Sequence, residues 1–264
     1  TGQTWLNAAA VAAALLAARP GLGGPPELGA GDAVATLLPL AVAAVPIAIW
    51  SGRTQRDSAR WGIRLVFLAG GVALLVEPLT AHAWGAGQAV GWGAALSLMI
   101  LAAWMVVDRF ADGGLELGES VVLAVALGGG AAATAAIATL TLGIHAGALT
   151  TAVGVATIVN QTADTRLHPE AIATLVPLVG FVWVVAYLYG GIPGAAMTLI
   201  AVAPLVGLGA IAVGRRVDYP RAAVPLAILM AVGAVGSSML VAEPPAGDRA
   251  VEESADDSGS YIPY

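Results

Sequence analysis

Roughly nine apolar stretches of about 15 to 22 residues follow one another along this 264-residue chain, and no connection between them is long enough to fold alone. Each is close to the length a helix needs to cross a ~30 Å hydrocarbon layer. The fold class that follows is all-α, a polytopic transmembrane helical bundle with short loops. The spans read as approximately 3–19, 33–50, 61–80, 89–107, 120–141, 143–160, 171–189, 195–214 and 222–242.

The stretch 120–160 decides the count. It runs without a charged residue, too long for one crossing, and Gly143-Ile144-His145-Ala146-Gly147 offers a turn between two halves. Two spans there make nine in all; a single crossing makes eight, the alternative. Short cytoplasmic loops collect arginine, which provides an independent test. With nine spans and the N-terminus cytoplasmic, Arg53, Arg56, Arg60, Arg64, Arg109, Arg166, Arg215, Arg216 and Arg221 share one side, leaving only Arg19 and Arg249 outside. The eight-span alternative would move Arg215, Arg216 and Arg221 away from the others. The expectation is a multi-pass protein of the cell membrane with a cytoplasmic N-terminus and an external C-terminus.

Composition agrees: 58% of residues are hydrophobic, 11% are charged, and the mean hydropathy is +0.85, against roughly 25% charged residues in a soluble domain. The chain has no cysteine, which excludes disulfides, thiolate catalysis and cysteine-ligated metals. All 11 basic residues are arginine, which excludes lysine Schiff-base chemistry, retinal attachment included. The net charge of −6, the missing lysine and the abundance of Ala, Val, Gly and Thr give a halophile-like composition. No basic region precedes the first apolar run, so a cleaved signal peptide is not expected.

Residues 1–242 form the bundle, and 243–264, with six acids and one arginine, reads as an acidic disordered tail. Inside the spans, Gly128-Gly129-Gly130, Gly207, Gly209, Gly214, Gly233 and Gly236 supply small surfaces for close helix packing. Alternatively, the triple glycine could unwind a helix around an ion.

The most specific pattern is the spacing of Arg53, Arg56, Arg60 and Arg64. On one continuous helix from about Gly52 to Leu79 they fall within about an 80° arc. Such a stripe would contact lipid phosphates or an acidic partner, beside its ordinary role as a topology anchor with Trp50 and Trp61 at the interface.

Charge within the spans is scarce, and Glu77, before Pro78, is the one acid read at depth. In the nine-span topology His82 and His145 fall on the same outer side, so Glu77, His82 and His145 form a candidate polar site. Three histidines with no pair at i, i+3 or i+4 within a span give no zinc signature. No metal site and no cofactor is expected.

Two local patterns resemble known elements without their chemistry. Gly29-Ala30-Gly31-Asp32 resembles the GxGD element of intramembrane aspartyl proteases, but no span supplies a second aspartate, and Asp32 serves better as a helix cap. Asn160 and Asp164 resemble the start of the NxxxD motif of membrane prenyltransferases, but the second acidic cluster is missing. No phosphate loop, Ser/His/Asp arrangement or nucleic-acid stripe is present. Membrane lipids and protein partners within the membrane are the expected company.

Three functional classes fit this reading. The first is a non-catalytic subunit or scaffold of a membrane complex. The second is a transporter or channel for a neutral or apolar solute, with Thr134, Thr139, Thr141, Thr150, Thr151 and Thr157 along its path. The third is an enzyme acting on lipids, which lacks an evident acid–base pair.

Overall fold

The computed structural model describes residues 4–17, 33–54, 56–111, 114–162, 167–216 and 220–242. Among these lie nine helices: α1 (Thr4–Ala17), α2 (Ala33–Arg53), α3 (Asp57–His82), α4 (Ala86–Phe110), α5 (Leu117–Ile137), α6 (Leu140–Thr162), α7 (Pro169–Tyr189), α8 (Gly194–Arg216) and α9 (Pro220–Val241). The tail 243–264, Arg19, Asp32, Asp164, Arg166 and the side chains of His82, Asn160 and Arg221 lie outside the description.

Helices α2 through α9 are each long and apolar enough to cross a membrane. The 14 residues of α1 rise only about 21 Å, short of a full crossing. The stretch 120–160 does form two helices, but the turn lies at Ala138-Thr139, ahead of the expected Gly143–Gly147. Thr139 fixes it there: its Oγ1 accepts the Leu142 N–H at 3.3 Å, as an N-cap does. Gly143 instead sits inside α6 against Ala135 of α5, with the Ala135 Cα only 2.7 Å from where a Cβ would stand. The glycine is a packing surface that lets the two helices close into a hairpin.

Helix α7 is the axis of the bundle. Its sequence is apolar on every side, from Ala171 to Ala186 almost without interruption, as a helix surrounded by others requires. It packs against α1, α2, α3, α4, α6 and α8. A second group forms around α5, which meets α6, α8 and α9. The triple glycine is where that happens. Helix α5 continues unbroken through it, and a Cβ at Gly128 would meet Thr150 of α6, at Gly129 Val235 of α9, and at Gly130 Ile200 of α8 and Trp183 of α7. Packing, and not unwinding, uses these glycines. Gly207 likewise lies against Val122, whereas Gly209, Gly233 and Gly236 face open space.

Short connections alternate the helix ends, so the α2–α3, α4–α5, α6–α7 and α8–α9 connections share one end of the bundle. An antiparallel bridge between Leu115 and Leu167 ties two of them together. Arg53, Arg56, Arg60, Arg64, Arg109, Arg215 and Arg216 all belong to this end. At the opposite end Pro78 cannot donate to the carbonyl of Leu74, and the adjacent Leu75 carbonyl accepts the Tyr189 hydroxyl at 2.6 Å, joining α3 to α7.

Candidate functional site

The arginine-rich end is organised by buried pairing. Arg60 and Arg64 are one turn apart on α3 and point the same way. Both bind Asp108, near the end of α4: Arg64 Nη1 donates to Oδ2 at 2.9 Å and Nη2 to Oδ1 at 3.3 Å, and Arg60 Nη2 also bonds Oδ2. Arg64 is 1% exposed. Its guanidinium lies 4.7 Å from the Trp61 ring centre and 4.4 Å from that of Trp104, which is one turn before Asp108 on α4. Cation–π attraction is strongest where water is excluded, as here. Arg64 Nε donates to the Ser51 hydroxyl at 3.4 Å, and Ser51 donates to the Ala48 carbonyl. One side chain therefore pins α2, α3 and α4.

This corrects two expectations. The helix is not continuous from Gly52 to Leu79: Arg53 ends α2 and Arg56 caps α3 in an extended conformation. Arg53 and Arg56 are exposed, while Arg60 and Arg64 turn to Asp108, so the four do not form one outward stripe. Nor is Glu77 the acid buried in the protein: it is exposed, whereas the carboxylates of Asp108 and Glu119 are buried in ion pairs.

A second pairing joins α8 to α5. Glu119 Oε2 accepts the Glu116 N–H at 2.9 Å, closing a capping box at the start of α5, while Oε1 accepts Arg215 Nη1 at 2.8 Å. Glu116 Oε2 accepts Arg215 Nη2 at 2.7 Å. Glu119 is buried, whereas Arg215 and Glu116 are about half exposed. Water screens the outer bond much more than the inner one.

The expected polar site is distributed as follows. Glu77 is exposed on α3. His145 is buried in α6, with Nδ1 2.8 Å from the Thr141 carbonyl and Nε2 without a partner. Helix α3 packs chiefly on α2, α4 and α7, and α6 chiefly on α5, α1 and α7. Four of the six threonines expected along a path are turned to their own helices. Thr134 donates to Gly130, Thr150 to Ala146, Thr151 to Gly147 and Thr157 to Val153, each to the carbonyl four residues back. Among the described residues no group of three or more His, Asp or Glu is placed to hold a metal.

What sequence reasoning missed is an apolar cleft of about 350 Å³ between α4 and α8, floored by α7 and α5. Helices α4 and α8 meet only slightly, as α7 and α8 do. Met99 and Ala103 of α4 and Ala201 and Leu205 of α8 are partly exposed in the lining of the cleft, whereas Val179 and Leu127 are buried. Among the described residues no charged side chain lines it. At its end near the α3–α4 and α7–α8 connections, Trp92 lies between Trp84 and Tyr187 with its ring tilted to both and ring centres 6.4 and 5.9 Å apart. Helical spacing hid this cleft, because its walls come from four helices and each wall residue alone reads as ordinary core or lipid-facing surface.

The class defined by these elements is a multi-pass, all-α integral membrane protein. No family model matches the chain, and neither a curated protein nor a solved structure matches it either.

Proposed function

We propose that this chain is a non-catalytic subunit or scaffold of a membrane complex. The observation that carries the reading is how the polar groups within the helices are used. Thr134, Thr150 and Thr157 bond to their own backbones, and Arg64 and Arg215 pair with the buried carboxylates of Asp108 and Glu119. A path for a polar solute needs hydrogen-bonding groups turned toward it, and catalysis needs an acid or base within reach of a substrate. Here the ion pairs join neighbouring helices, and the bonded threonines stay within their own. Transport of an apolar solute is the second reading, favoured by the cleft between α4 and α8.

The test is native mass spectrometry of the full chain taken from its own membrane in a mild detergent. A protein partner at fixed stoichiometry is the expected result. Recovery of the chain alone, together with uptake of a neutral solute into vesicles containing only this protein, would replace the first reading with the second.

A further inference from the structure

We propose that the cleft between α4 and α8 is a binding site for one hydrocarbon chain of a membrane lipid. Both flanking helices are long and apolar enough to span the membrane, so the opening between them faces hydrocarbon along its length. The lining extends from Trp92 to Val107 on α4 and from Gly194 to Leu205 on α8, which at the helical rise is roughly 17 to 22 Å. A volume of about 350 Å³ drawn out over that length is narrow. It admits a single extended chain, whereas a helix with its side chains is about 10–12 Å across and cannot enter.

The chemistry of the walls selects the same occupant. Apolar atoms make up nearly all of the lining. The Thr198 hydroxyl at the rim is bonded to the Gly194 carbonyl at 2.8 Å. A polar solute would lose its hydration without recovering hydrogen bonds. Left empty, the cleft would deprive its walls of dispersion contacts that packed interiors normally make. Small residues in both walls, Ala103 on α4 and Ala201 on α8, leave room in it. The Trp84, Trp92 and Tyr187 cluster stands where aromatic belts meet the membrane–water boundary. That end receives the headgroup, and the chain runs inward toward Val107 and Leu205. The site does not depend on whether the protein has partners.

The experiment places the full chain in bilayers containing a phospholipid with a photoreactive diazirine near the end of one acyl chain, and maps the labelled residues. Labelling of Met99, Ala103 and Ala201 should exceed that of the outward residues Leu229 and Leu240 of α9 by about tenfold, equivalent to about 1.4 kcal/mol. Even labelling of the two faces would reduce the cleft to ordinary lipid-exposed surface and overturn the proposal. A variant with Ala103→Leu and Ala201→Leu fills the room between the walls. It should lower labelling of Met99 by about tenfold with α9 unchanged, and undiminished labelling of Met99 would also overturn the site. Should that variant not fold, the wild-type map decides by itself.

Discussion

Arg64 and Asp108 meet across the α3–α4 interface with two hydrogen bonds, at 2.9 and 3.3 Å, and Arg64 is shut from solvent between Trp61 and Trp104. Removing one partner of a buried pair leaves an uncompensated charge, whereas removing both leaves neither. Asp108→Leu should therefore destabilise the protein by roughly 3–5 kcal/mol, and Arg64→Leu by less, because Arg60 still pairs with Asp108. The double variant should lose much less than the sum. Reversible unfolding in mixed micelles would measure the cycle, and additive losses would mean that the two residues do not act as a pair.

Glu119 and Glu116 both bind Arg215 and both take part in the capping box of α5, but only Glu119 is buried. Glu119→Ala forfeits a cap and a buried charge-assisted bond, and about 2 kcal/mol is the expected loss. Glu116→Gln keeps a side-chain acceptor at the cap and weakens a half-exposed bond, so its expected loss is under about 1 kcal/mol. Equal losses from the two variants, measured by the same unfolding method, would contradict the ranking. Raising salt should narrow the effect of Glu116→Gln more than that of Glu119→Ala.

The apolar windows from α2 to α9 were legible because length and hydropathy are the conditions for crossing lipid, and each helix satisfies them separately. The pairing of Arg64 with Asp108 was not. It joins residues 44 apart in sequence, and Asp108 lies just after the apolar run 89–107, where it resembles a loop acid. Arg60 and Arg64 could equally be read as topology signals until the α3–α4 crossing turned them inward. Gly143 misled for a different reason. In water a glycine between apolar runs marks a turn, but in lipid close helix contact also requires one. The capping hydroxyl of Thr139 was the local signal for the true break.

The arginine residues also predict orientation. Connections at one end of the bundle carry Arg53, Arg56, Arg109, Arg215 and Arg216, and such an end belongs in the cytoplasm. Since α9 ends opposite the α8–α9 connection, a reporter fused after Tyr264 should read external, whether or not α1 crosses. A cytoplasmic reading there would reverse the bundle. The N-terminus is the separate case: its expected cytoplasmic position requires α1 to cross, and a second reporter before Thr1 measures that.

Glycines provide the sharpest test of the packing, because the same substitution has opposite expectations at two positions. At Gly143 a Cβ would collide with the backbone of Ala135, including its nitrogen at 3.0 Å, and backbone cannot rotate aside as a flexible side chain can. Gly143→Val must therefore part α5 from α6, and a loss of at least about 3 kcal/mol is expected from overpacking with displaced neighbours. At Gly209 nothing lies within 4 Å of the added atom. Gly209→Ala should be neutral or stabilising by up to about 1 kcal/mol, since alanine restricts the unfolded chain and favours the helix. Cysteine pairs across the α5–α6 hairpin would report the parting directly through their cross-linking yield. If Gly143→Val preserved both the yield and the stability, the hairpin would have to close by a contact other than the one at Ala135.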